Sequence, residues 1–311
     1  MFRHYRFIDF ATQGYLVFTG MLALWGGVTG RPVWLWVALG HAAVILAVHL
    51  LVVANESGRA RGPVPTLLRH LYPILLYTAV YNETGHLTQL FTSGYYDPIL
   101  IRLEDRWFGG QPSLSWMVSW PNPLLSEVLY AAYFSFYLMI VGVAVALYVR
   151  DLRQFDHYVS VLSFVFYVCY AFYIFVPVVG PRSFVGEFNG YHLPAAVMPA
   201  VVPPVPEALT DGVFFQIMAV IYRYLETPGA AFPSSHVAVA WCTVWFSFRY
   251  LRKIRWVHAV MAVLLSLSTI YCRYHYVVDV FAGIATAALL VPLGDRLHRR
   301  FARDRDQIAR S

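Results

Sequence analysis

The chain has 311 residues, of which 59% are hydrophobic and only 13% charged, with a mean hydropathy of +0.56. A soluble globular chain carries about 25% charged residues, so composition excludes an ordinary soluble domain and points to the membrane class. The net charge of +6 raises nucleic acid as a partner, but the basic residues lie in short loops and the C-terminal tail, which excludes a recognition patch and makes them a topology signal.

In chain order, Arg3 and Arg6 precede an apolar run from Tyr15 to Val28. A signal peptide has this outline, but no small-residue cleavage site follows, so the run reads as a first transmembrane helix. Seven more apolar stretches follow. The expected spans lie near 12–28, 33–54, 69–90, 124–149, 157–179, 234–250, 256–272 and 275–293. The third is interrupted by Pro73, Asn82, Glu83 and His86. His41 and His49 fall in the second span without an acidic partner, and read as core packing or helix contacts. Cys169, Cys242 and Cys272 lie in or beside apolar runs, an odd and buried set that argues against a disulfide framework. No internal repeat or low-complexity tract is present.

With the N-terminus in the cytoplasm, the eight spans leave only Arg31, Arg102, Arg106, Arg182, Arg223 and Arg273 of the 23 basic residues outside. The remainder fall in cytoplasmic segments, as the positive-inside rule requires. Two outer segments are long. In the first, DPILIRLEDRWF (97–108) has the pattern of an amphipathic helix lying in the interface, with Ile99, Leu100, Leu103 and Trp107 on one side. The second, near 180–233, opens on GPRSF, is rich in proline, and holds DGVFFQIMAVIYRYLE as a further interfacial or re-entrant helix.

The polar residues converge. FPSSH (232–236) sits at the outer end of the sixth span, and the chain returns one hairpin later at YCRYHYVVD (271–279). His236 and His275 therefore reach the same membrane face, beside Arg182 at the start of the second outer segment. Asp279 lies one helical turn from His275 and can accept from Nδ1, which fixes the tautomer and leaves Nε2 as nucleophile or base. His236 is a second imidazole able to protonate a leaving oxygen. Ser234 and Ser235 follow Pro233 at a helix start, where free N–H groups and the helix dipole attract anions. Arg182 and Arg273 carry fixed positive charge suited to phosphate oxygens. The set describes phosphoryl transfer through histidine, where the work is positioning and charge stabilisation.

GPRSF, FPSSH and HYVVD in this order resemble the type 2 phosphatidic acid phosphatase (PAP2) superfamily, over about residues 70–293. YYDPILIRLEDRWFGGQPS (95–113) is similar to its Aur1-like, inositol phosphorylceramide synthase branch. The resemblance implies an all-α integral membrane fold, His275 as a nucleophile forming phosphohistidine, Asp279 as its orienting group and His236 as general acid. It implies that Arg182, Ser235 and Arg273 hold the phosphate, and that no metal and no cofactor take part. Four positions depart from the superfamily pattern: Phe175 stands where lysine is usual, Pro181 precedes Arg182 instead of following it, Ser235 replaces glycine, and Thr269 replaces arginine. They favour the Aur1-like branch over a plain phosphatase.

The expected activity is transfer of a phosphoryl or phospho-headgroup group on a lipid at the extracytoplasmic face, with a lipid phosphatase as the alternative. The substrate is a lipid phosphate or phospholipid in the bilayer; no nucleic-acid or protein partner is implied. An anion-binding transporter is disfavoured because its polar cluster belongs near mid-membrane in repeated, broken helices. A zinc site on His236, His275 and Asp279 is disfavoured by the nearby arginines. Asn82, Glu83 and His86 read equally as an acceptor pocket or as interhelical bonds. Asp97, Glu104 and Asp105 either join a headgroup pocket or form a solvated helix face, the second being favoured. The expected organisation is an additional hairpin over 1–65, a catalytic domain over 66–295 and a basic cytoplasmic tail over 296–311, in a bacterial inner membrane.

Overall fold

The structure is a computed structural model that describes residues 5–60, 62–184 and 202–308, with side chains to residue 303. Arg3, Arg61, Arg310 and the Arg305 side chain lie outside the described set, as does 185–201 in the second outer segment. The described residues form eleven α-helices and no strand beyond one isolated bridge. The long helices are α1 (Phe7–Val28), α2 (Val33–Glu56), α3 (Pro63–Thr88), α6 (Pro123–Arg150), α7 (Leu152–Phe175), α9 (Ser235–Tyr250), α10 (Arg255–Tyr271) and α11 (Val277–Ile308). Three short helices lie in the connections: α4 (Asp97–Phe108), α5 (Pro112–Ser119) and α8 (Val213–Leu225).

Helices thus occupy all eight positions where spans are expected. Five of them, α1, α2, α6, α7 and α11, are long and apolar enough to cross a membrane. At 1.5 Å per residue, the 16 residues of α9 and 17 of α10 rise about 25 Å, short of a hydrocarbon layer of about 30 Å. α3 is long enough but carries Arg69, His70, Asn82, Glu83 and His86. It runs unbroken through the buried Pro73. The expected helices at 97–108 and within 211–226 are present as α4 and α8, whereas α5 has no counterpart among the expected elements.

α7 is the hub. It packs on α1, α3, α6, α9 and α11, and its buried face runs from Phe155 to Ile174. α2 is peripheral, with only His41, Val48 and Val52 buried. The N-terminal pair is nevertheless tied to the core. Arg69 and Asp9 are buried and joined by two hydrogen bonds of 2.9 and 2.7 Å, and the Tyr72 hydroxyl donates to Asp9 at 2.5 Å. Arg6 bridges Glu56 and Asp156 at the same end of the bundle. Asp295 of α11 gathers Arg249, Arg299 and His157, also at that end.

One expectation for α2 is corrected here. His41 does have an acidic partner: Glu83 Oε2 lies 3.2 Å from its Nε2, supplied by α3. Thr19 also reaches that nitrogen at 2.9 Å. His49 bonds the Tyr5 hydroxyl at 2.8 Å.

Candidate active site

The end of the bundle opposite those ion clusters holds the three motif segments, and backbone bonds assemble them. Val178 N donates to Gly229 O, and Ala231 N returns to Val178 O, so the approach to GPRSF lies alongside the approach to FPSSH. Ser234 N donates to Asp279 O, joining FPSSH to HYVVD. A small apolar cluster of Leu100, Val178, Val179, Phe184, Ala231 and Tyr276 packs beneath all three. Gly283 makes the last approach possible: a Cβ there would lie 2.6 Å from Ser234 O, so a larger residue would push α11 off the start of α9.

The sequence builds the start of α9 with ordinary capping. Ser234 is buried as N-cap, and its Oγ accepts from Val237 N. The Tyr173 hydroxyl donates to Pro233 O and accepts from Ser235 N, so a tyrosine of α7 fixes the turn on which Ser235 and His236 stand. Ser235 and His236 both line a cavity of about 180 Å³ together with His275 and Tyr274. Rings from Tyr77, Tyr81, Phe136, Tyr137, Phe166 and Tyr222 complete most of its wall.

His275 is 3% exposed, and its Nδ1 lies 3.3 Å from Asp279 Oδ2. The same carboxylate oxygen accepts from Tyr276 N at 2.9 Å. His236 faces it with 5.7 Å between ring centroids. Among the described residues no carboxylate is hydrogen-bonded to His236. Phe136 and Tyr133 pack on it at 4.6 and 5.1 Å, so its position is set by packing.

Arg182 is buried at the start of the 3-10 turn Pro181–Phe184. Its guanidinium lies 4.8 Å over the Tyr274 ring and 5.0 Å over Tyr222, and Nη1 donates to the Tyr130 hydroxyl at 3.4 Å. Tyr274 stacks between Tyr133 and Tyr222 at 4.2 and 4.3 Å, so one ring column links Arg182 to His236. Glu226, at the end of α8, lines the cavity too; burial pushes its carboxyl up to about 8, against the pull of Arg182.

Arg273 is used differently. At 1% exposure and φ +63°, its guanidinium donates to the carbonyls of Pro203, Leu114 and Pro204. It braces the segment at Pro203 and Pro204 against α5. Asn82, Glu83 and His86 do not reach the cavity. They line a separate depression of about 740 Å³ between α1, α2 and α3, with Arg31 and His41. Its link to the cavity wall is Thr227, whose hydroxyl donates to Asn82. Asp105 lies in a third depression with Arg102 and Arg106. Asp105 is exposed as expected of a solvated face, but Asp97 and Glu104 are both fully buried, which corrects that reading for them. Buried donors surround them: Val179 N, Gly180 N and the Tyr276 hydroxyl for Asp97, and Val277 N and the Ser113 hydroxyl for Glu104. Among the described residues no cluster of three or more His, Cys, Asp or Glu is placed to hold a metal ion.

Tyr173, Tyr222, Tyr274, Tyr133 and Glu226 are the site residues that sequence reasoning missed. Tyrosines are so frequent in this chain that none stands out by type.

Paired imidazoles on one cavity, with a buried guanidinium stacked on Tyr274 and Tyr222 of its wall, are the equipment of phosphoryl transfer, and the class to which the site points is a phosphatase or phosphotransferase. Comparison of the sequence with family models agrees: the model described as PAP2 superfamily matches residues 99–293. The chain belongs to the PAP2 superfamily and is a phosphatase/phosphotransferase enzyme. The match begins within α4 and ends within α11, leaving α1–α3 outside it. No curated protein and no solved structure matched the chain.

Proposed function

We propose that this enzyme moves the phosphate of a lipid, or a phospholipid headgroup, through a phosphohistidine at His275, at the extracytoplasmic face of a bilayer crossed eight times. The observation that carries the reading is that His236 and His275 share one cavity with their rings 5.7 Å apart, the second bonded to Asp279 and the first to no carboxylate among the described residues.

In the first half-reaction, His275 Nε2 attacks phosphorus and the bond from phosphorus to the leaving alcohol oxygen breaks. His236 gives its proton to that oxygen. Asp279 stabilises the charge that forms on the His275 ring. Arg182, Ser235 and the start of α9 take the phosphate oxygens, with Ser234 shaping that start as its cap. In the second half-reaction an acceptor oxygen attacks phosphorus, the N–P bond breaks, and His236 takes the acceptor's proton.

The acceptor divides two readings. Headgroup transfer of the inositol phosphate type, as in the Aur1-like branch, is favoured by the aromatic wall of the cavity, which limits water. In this reading Asn82, Glu83, His86 and Asp105 contribute an acceptor or headgroup pocket, with Thr227–Asn82 as the nearest link to the cavity. Hydrolysis, as in a lipid phosphate or pyrophosphate phosphatase, is favoured by the cavity volume of about 180 Å³, small for a headgroup beside a phosphate. Arg273 enters either reading as a brace between α5 and the segment at Pro203 and Pro204.

The test is phosphorus NMR of purified protein in EDTA with phosphatidic acid, an isoprenyl pyrophosphate or phosphatidylinositol as donor, and ceramide or diacylglycerol as acceptor. A new phosphodiester supports headgroup transfer, and inorganic phosphate supports hydrolysis. Turnover that survives His275→Ala, or that EDTA abolishes, overturns the phosphohistidine route.

A further inference from the structure

α4 lies outside the catalytic cavity, yet it holds two acids where acids are costly. Asp97 and Glu104 are both 0% exposed. Among the described residues neither forms an ion pair, although a buried carboxylate without a counter-charge is strongly disfavoured. Each is matched instead by a set of donors. Asp97 Oδ2 accepts from Val179 N at 3.0 Å, and Oδ1 from Gly180 N at 3.0 Å and the Tyr276 hydroxyl at 2.9 Å. Glu104 Oε1 accepts from Val277 N at 2.6 Å, and Oε2 from the Ser113 hydroxyl at 2.7 Å.

Four of the five donors, all but Ser113, share a location. The amides of Val179 and Gly180 lie three and two residues before Arg182, and the Tyr276 hydroxyl and the Val277 amide belong to the two residues after His275. Val277 is also the first residue of α11, where a carboxylate satisfies a free helix amide and complements the dipole. Gly180 sits at φ +83°, against Tyr274 O, so the two segments already press on each other. One three-turn helix therefore holds both the phosphate-binding turn and the nucleophile turn through its Asp97–Leu100–Glu104 stripe.

We infer that Asp97 and Glu104 are positioning residues: through the amides of Val179, Gly180 and Val277 they fix Arg182 and His275 relative to each other. The inference rests on the phosphohistidine reading. It assigns a role to the 97–108 stretch that the catalytic residues themselves leave without one.

The two acids differ in what an amide can replace. In Glu104→Gln the remaining carbonyl oxygen still accepts from Val277 N, and the Ser113 hydroxyl can turn to accept from the new amide. In Asp97→Asn one oxygen becomes an NH2 group facing a backbone N–H, so one amide loses its acceptor. The test is rapid-quench labelling with phosphatidic acid carrying radiophosphorus, recording both the rate of phosphoenzyme formation and the number of labelled sites per folded protein. Folding is checked by thermal unfolding in detergent. Glu104→Ala, Asp97→Ala and Asp97→Asn are expected to slow labelling about 10- to 100-fold with the number of sites retained. Glu104→Gln is expected to recover most of the rate. A purely structural role would give fewer labelled sites reacting at the wild-type rate, and that result, or unchanged labelling in both alanine variants, overturns the inference. Absence of label in the wild-type protein, or label that persists in His275→Ala, would instead overturn the phosphohistidine reading beneath it.

Discussion

The imidazoles of His236 and His275 face one cavity with their centroids 5.7 Å apart, and among the described residues only His275 has a carboxylate bonded to its ring. In the proposed mechanism that asymmetry divides their roles. An imidazole with an orienting carboxylate keeps one nitrogen committed and the other available for attack. An imidazole held by ring packing, as His236 is by Phe136 and Tyr133, is free to exchange its proton. Replacing His236 by alanine should therefore cost about 10²- to 10⁴-fold in kcat on a substrate with a poor leaving group. The loss should shrink sharply on a substrate whose leaving group needs no proton, such as a nitrophenyl phosphate. Equal losses on both substrates would remove His236 from the role of general acid.

Arg182 is stacked on two rings as well as charged. Lysine keeps the charge but has no plane to lay over Tyr274 and Tyr222 and no fork for two phosphate oxygens. Arg182→Lys should lower kcat/KM by about 10²-fold, while Tyr222→Leu, which removes one stacking face, should lower it less. Steady-state kinetics on both variants checks the order. A lysine variant with wild-type kinetics would mean that Arg182 does not touch phosphate.

Glu226 sets a pH dependence whose sign follows from its surroundings. Burial pushes its carboxyl up to about 8, with Arg182 pulling the other way. Below that pH the group is neutral and leaves the charge of Arg182 to the substrate. Above it, a carboxylate shares the cavity with an anionic phosphate. KM for a lipid phosphate should rise as pH passes about 8, and Glu226→Gln should flatten the rise. A KM profile identical in the two proteins would show that the group does not titrate in the substrate's field.

The Arg69–Asp9 pair ties the N-terminal helices to the catalytic bundle. Both residues are buried, so removing one strands the other: Arg69→Met should cost about 3–5 kcal/mol of stability. The double variant Arg69→Met/Asp9→Asn should cost less, because no uncompensated charge remains. Thermal unfolding in one detergent, for the two variants beside the wild type, measures this. A single variant that melts with the wild type would show that α1 and α3 are not held by this pair.

The candidate site residues were legible because each is a polar interruption at the end of an apolar run, and because a helical hairpin returns FPSSH and HYVVD to one end of the bundle. The eight helices were legible from hydropathy, with ends shifted by several residues: α1 begins at Phe7 and α11 continues to Ile308. What stayed hidden depends on partners distant in sequence. Arg273 looks like a phosphate ligand until the carbonyls of Leu114, Pro203 and Pro204 close on it. His41 looks unpaired until α3 brings Glu83. Asp97 and Glu104 look solvated because a short polar helix resembles a surface helix; only the buried amides of two other segments reveal which stripe turns inward.

The most direct test of the central claim is to trap the phosphoenzyme. Wild-type protein is incubated in EDTA with labelled lipid phosphate and denatured in alkali. Its label is then examined for stability and mapped by peptide sequencing. A phosphoramidate on His275, stable to alkali and lost in acid, is the predicted result, and it should be absent from His275→Ala. Label on Ser235, label that survives acid, or turnover with no labelled intermediate would contradict the account.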